Sequence, residues 1–156
     1  MLSLSDKTDA EIDSWTANHE RRGVTDTPLY RELLEERARR RPNVLNIEKL
    51  LNHLMARARE GRFTTYGDLA TASTVPWNVA RHAMNGTSGH LDRLLDVCHA
   101  RNLPLLTAIC VNQHGVATGE LAPASLTGFV KGARRLGYVV TDELAFLRQC
   151  QRECFN

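Results

Sequence analysis

The sequence predicts a mainly α (α+β) fold, a winged helix-turn-helix with a small β-hairpin wing and an N-terminal helical hairpin. Three observations predict it. Amphipathic runs with their own start signals recur along the 156 residues. Two central runs are short and joined by a tight turn. An apolar, branched stretch with a glycine-containing turn follows them, as a wing would.

The elements justify this in order. Thr8 with Glu11 three residues on is a capping-box pattern, and Ile12, Trp15 and His19 continue it at helical spacing until Gly23. Thr27 before Pro28 starts a second helix, whose apolar stripe is Leu29, Leu33 and Leu34. Its remaining residues, Glu32, Glu35, Glu36, Arg37, Arg39, Arg40 and Arg41, predict a solvated face laced by i,i+4 pairs. Arg41-Pro42 breaks that pattern. From Ile47, the positions Leu50, Leu51, Leu54, Met55 and Ala58 define a third helix ending at Gly61.

Thr65, with Asp68 at the third helical position, caps a short helix through Ala72. Ser73, Thr74 and Val75 turn the chain, and Pro76 opens the second member of the pair, with Val79, Ala80, Ala83 and Met84 as its apolar side and Gly86 as its stop. Leu91, Leu94, Leu95 and Cys98 mark an extra helix within residues 89–101. Leu103 to Val111 and Val116 to Thr118, separated by Asn112-Gln113-His114-Gly115, predict a β-hairpin. Leu126, Phe129, Val130 and Ala133 share one face of a later helix, and Thr141 or Asp142 caps a last one. The division this suggests is an accessory helical segment over 1–42, the winged-helix domain over 43–140, and a C-terminal helix over 141–156 packing on it.

Composition narrows the class. Hydrophobic content of 42% and charged content of 24% are those of an ordinary globular chain. No apolar run approaches a membrane span of about 20 residues, and the first nine residues carry acids where a signal peptide carries bases, so a cytoplasmic protein with no membrane partner is expected. Cys98, Cys110, Cys150 and Cys154 form no CxxC pair and have no histidine at zinc-finger spacing; the reading is two buried thiols and two near a frayed C-terminus, with no metal and no cofactor. Formal net charge is only +2, but residues 43–140 hold ten Lys or Arg against six Asp or Glu, an excess where a phosphate backbone would want it.

The segment Phe63-Thr64-Thr65-Tyr66-Gly67-Asp68-Leu69-Ala70 resembles the start of the helix-turn-helix of the O6-alkylguanine-DNA alkyltransferases and their inactive, alkyltransferase-like relatives. Pro76, Ala80 and Arg81 resemble that family's recognition helix. Pro104-Leu105-Leu106-Thr107-Ala108-Ile109 resembles the strand bearing its reactive site, and Gly115-Val116-Ala117-Thr118-Gly119 continues the match over roughly residues 45–137. The resemblance implies double-stranded DNA as partner. It places Tyr66 where the family's tyrosine presses on the target nucleotide's phosphate, and Arg81 where its arginine fills the stack left by a flipped base. The residues themselves equally allow a half-buried aromatic at Tyr66 and a solvated helix arginine at 81.

The family's reactive Pro-Cys-His-Arg is replaced by Ala108, Ile109, Cys110 and Val111, so no enzyme is expected: isoleucine accepts no alkyl group. Cys110, one residue out of register, points to the opposite face of a strand and reads as core. Cys98-His99-Ala100-Arg101 echoes the lost tetrapeptide, but Cys98 lies on the apolar side of its helix. Besides Tyr66, Arg81 and Thr65, the expected DNA-binding residues are Trp77, Asn78, His82 and Asn85, on or beside the recognition helix. Two functions follow. One is a non-enzymatic DNA-binding protein, a regulator or a sensor of modified or distorted DNA. The other is a protein-protein interaction module on a winged-helix scaffold that has lost DNA binding, with a partner or a second copy docking through residues 1–42.

Overall fold

The computed structural model describes residues 3–40, 46–84 and 90–156 and, for 81–84 and 90, the backbone only. The chain is mainly helical. Helix α1 (Asp9–Arg21) starts on the capping box: Thr8 Oγ1 accepts from the Glu11 amide at 3.1 Å, and Glu11 Oε1 accepts from the Thr8 amide at 3.0 Å. Gly23, at φ 68, turns the chain in a conformation that costs a residue without Cβ nothing. Helix α2 (Pro28–Arg39) begins on Thr27 with proline in its first turn, and α3 (Ile47–Arg59) on Asn46, whose side chain accepts from the Lys49 amide. The expected boundary near Pro42 lies outside the described residues.

Strand β1 (Thr64–Thr65) leads into α4 (Tyr66–Ala72), α5 (Trp77–Met84) and α6 (His90–Ala100). A 3₁₀ turn over Leu106–Ile109 then delivers β2 (Cys110–Val111), followed by α7 (Pro123–Arg135) and α8 (Glu143–Phe155), which Asp142 caps. Helix α2 lies between two apolar clusters. Leu33 meets Leu4 and Ile12, whereas Tyr30, Leu34 and Ala38 join the main core with α3, α6, α7 and α8. Tyr30 and Leu34 have no exposed surface, and burial of such a side chain contributes roughly 1.5–3 kcal/mol. Among the described residues, no helix is long and apolar enough to cross a membrane.

The expected β-hairpin wing is corrected. Strand β2 pairs in parallel with β1, Thr64 opposite Cys110 and Thr65 opposite Val111. Gln113–Gly115 is a 3₁₀ turn, and the amides of Thr118 and Gly119 bond back to the Gly115 carbonyl. Helix α8 takes the place of a second strand. Gln151 Nε2 donates to the carbonyls of Ala108 at 3.0 Å and Gly119 at 2.8 Å, and Arg148 donates to Thr118 O at 2.8 Å. Those carbonyls are satisfied by side chains, so no cross-strand ladder forms there. The same packing corrects the reading of Cys150 and Cys154, which are buried at 3% and 6% exposure on an ordered helix.

Candidate functional site

The helix pair is anchored by local hydrogen bonds. Thr65 Oγ1 accepts from the Asp68 amide at 3.1 Å, and Asp68 Oδ2 accepts from the Thr65 amide at 3.2 Å. Thr64 donates to the same carboxylate at 3.2 Å, so its oxygen accepts from His53 Nε2–H at 2.8 Å, tying α3 to the start of α4. Burial first, and then Arg57, hold the His53 imidazole below its ordinary pKa. Thr74, at φ 59, makes the turn to α5 in the left-handed region that strains a β-branched residue.

The predicted residues fall in different places. Thr65 is 7% exposed with its hydroxyl committed to the cap, which corrects its expected role at a DNA surface. Trp77 and Asn78 are exposed, and so is Val79 at 46%, against its expected place on the apolar side; Ala80 alone of that first turn is fully buried. The backbone of Arg81 and His82 lies on the same helix, and Asn85 lies outside the described residues.

Tyr66 lies elsewhere, on a cavity of about 590 Å³. Leu91, Asp92 and Leu95 of α6 form one wall, the Ala124–Arg135 face of α7 the other, and Thr107, Cys110 and Leu121 close it. Burial pushes the Tyr66 phenol up to about 12, reinforced by Cys110 and opposed by the hydrogen-bonding Ser125 hydroxyl. The space exists because α7 carries small residues every fourth position. A Cβ at Gly128 would meet nothing within 4 Å, whereas one at Gly132 would lie 2.6 Å from Leu95 Cδ1. The helices therefore touch at one end of the cavity and part at the other. The Ala124, Gly128, Gly132 repeat is the sequence signal that could have revealed it.

Cys110 lines this cavity and Ile109 does not, although the turn over residues 106–109 is 3₁₀ and not the strand expected there. It is nevertheless 1% exposed, and burial raises its thiol well above the ordinary range. Burial also pushes Cys98, Cys150 and Cys154 up to about 12. All four are free thiols, and Ile109 is fully buried.

Part of the cationic excess is spent inside the fold. Asp96, with no exposed surface, accepts from Arg37 at 2.9 Å, from Arg135 at 2.5 Å and from Arg93. Arg135 also pairs with Glu20 at 2.9 Å and Asp92 at 3.3 Å, and Tyr30 donates to Glu20 at 2.8 Å. Burial raises the Asp92 carboxyl and lowers the Arg93 guanidinium from their ordinary values. Arg101 pairs with Glu35 at 2.9 Å and Glu48 at 2.7 Å. Thus five of the ten central cations, Arg57, Arg93, Arg101, Arg134 and Arg135, pair with carboxylates, and of these Arg93 and Arg135 are largely buried. The expected solvated face of α2 is corrected in part: Glu32 and Arg39 are exposed and Glu36 pairs with Arg40 at i,i+4, but Glu36 is only 8% exposed and Arg37 reaches inward to Asp96.

Among the described residues, no group of three His, Cys, Asp or Glu is placed to hold a metal ion. Comparison of the chain with protein-family models, with curated proteins and with solved structures finds no match.

Proposed function

We propose that the protein is a non-enzymatic DNA-binding protein that meets the duplex through α4 and α5. One observation carries this reading. Two short helices joined by a four-residue turn leave Trp77 and Asn78 exposed at the start of the second helix, where a recognition helix presents side chains to base edges. The alkyltransferase-like octet at 63–70 supports it, and with it Arg81 as the residue that enters the base stack and His82 and Asn85 as further contacts. Buried, high-pKa thiols and isoleucine at position 109 support a role without alkyl transfer.

The test is a titration against plain duplex, O6-methylguanine duplex and single strand at several salt concentrations, with Arg81→Ala and Asn78→Ala as variants. A DNA-binding protein loses affinity with salt at a slope near −0.9 per phosphate contacted. The pairing of Arg93 and Arg135 inside the fold, and of Arg101 with Glu35 and Glu48 at its surface, makes that slope shallow, about −2 to −4. A lesion sensor prefers the modified duplex and loses that preference with Arg81→Ala; a regulator does not distinguish the two. The exposed Trp77 and Val79 favour the second reading, a protein-interaction module, and absence of binding to every nucleic acid at low salt decides for it.

A further inference from the structure

We propose that the cavity between α6 and α7 is the binding site of a small amphipathic carboxylate, an aromatic or branched acid, and that its occupancy is transmitted to the start of α4. The volume, about 590 Å³, falls inside the roughly 300–1,000 Å³ of small-molecule sites. It admits up to about twenty-four non-hydrogen atoms, given that about 150 Å³ holds benzene. Leu91, Leu95 and Phe129 offer the apolar body a surface.

The polar groups select the other end. Thr107 belongs to the lining and is only 7% exposed, and its Oγ1, itself shut off from solvent, has no hydrogen-bond partner. A buried hydroxyl left so is costly, and a ligand oxygen that reaches it restores the missing bond. Lys131 is exposed at the rim, and no ion pair among the described residues engages it. The one carboxylate in the lining, Asp92, is held by Arg135 and Arg93. The uncommitted groups are therefore a hydroxyl, which can donate, and an ammonium, and a ligand presenting acceptors and negative charge satisfies both. A neutral nucleobase would leave the Lys131 charge unpaired.

The route outward is short. Tyr66, on the cavity, is the first residue of α4; Cys110, on its floor, is the ladder partner of Thr64; and Val111 is the partner of Thr65, the cap of α4. A ligand that shifts either element acts on the entry to the helix pair. The output on DNA rests on the function proposed above; ligand binding does not.

Gly128 supplies the test. Gly128→Leu fills the space without a clash at Cβ. With the full chain, 2-naphthoate binds with a dissociation constant below about 1 mM by calorimetry. The neutral 2-naphthylmethanol binds about tenfold more weakly, as 2-naphthoate does to Lys131→Ala and to Thr107→Val. Gly128→Leu, with an unfolding temperature no lower than wild type, does not bind. No saturation by 2-naphthoate at millimolar concentration, or equal binding by Gly128→Leu, overturns the proposal. So does displacement of 2-naphthoate by the free nucleoside O6-methylguanosine, since the cavity then receives a base. Failure of every duplex to bind, with 2-naphthoate still bound, removes the DNA output and leaves the site.

Discussion

Replacing Asp96 by Asn isolates the ion network that joins four helices. The carboxylate has no exposed surface and faces Arg37 of α2, Arg93 of its own helix and Arg135 of α7, while Glu20 of α1 and Asp92 complete a balance of three cations against three anions. The substitution keeps the shape and leaves three guanidinium groups around two carboxylates, with Arg93 only 6% exposed. Breaking such a buried cluster from one side costs about 3–5 kcal/mol, since the remaining charge is neither paired nor hydrated. For a chain of this size each kcal/mol is worth roughly 2–4 °C, so the unfolding temperature falls by about 6–20 °C. Urea unfolding measures the free energy directly and should show an unchanged slope. A loss below about 1 kcal/mol would refute the reasoning, because the arginines would then have to reach water, and the positive excess of residues 43–140 would again be open to a phosphate backbone.

Other outcomes follow from single positions. Gly137→Ala should destabilise by at least about 1 kcal/mol in thermal unfolding, since φ is 96 and the new Cβ would lie 2.1 Å from Thr25 Oγ1, whereas Gly128→Ala should stabilise by about 0.5–1 kcal/mol as a helix-interior glycine with open space. His53 titrates lower in the fold than its ordinary 6.5, so the unfolded chain takes up its proton first. Stability is full above pH 6.5 and falls as pH drops from 6.5 towards the folded value; His53→Gln should flatten that part of the profile, and an unaltered profile would rule the histidine out as its source. An aromatic disulfide reagent at pH 8 should label none of the four thiols in the native protein and all four in guanidinium, and rapid native labelling of Cys110 would reopen the case for chemistry at the cavity.

What the sequence revealed and what it concealed divide along the range of the interactions. Thr8 with Glu11, Thr27 with Pro28, Thr65 with Asp68, and Asp142 each announce a helix start because donor and acceptor lie within three residues. Residues 103–118 read as a hairpin because a short apolar run has the same pattern whether it pairs locally or lies buried against a helix. Its actual partners, Thr64 and Gln151, are more than thirty residues away. Arginine side chains were equally ambiguous: nothing near Arg135 in the chain says that Glu20 of α1 and Asp96 of α6 will lie beside it. The cavity is an absence of side chains on α7 opposite α6, visible only as the small residues at 124, 128 and 132 once the two helices are known to face each other.

The position of α2 also governs how the chain can be made. Its inner face is covered by α6, and the bond from Arg37 to Asp96 spans 59 residues. At translation rates of about 5–20 residues per second, Tyr30 and Leu34 emerge from the ribosome about 3–12 s before the helix that shields them. Through that interval the nascent protein displays an oily surface beside a row of charged groups awaiting their counter-ions, which makes its first forty residues the stretch a chaperone would meet.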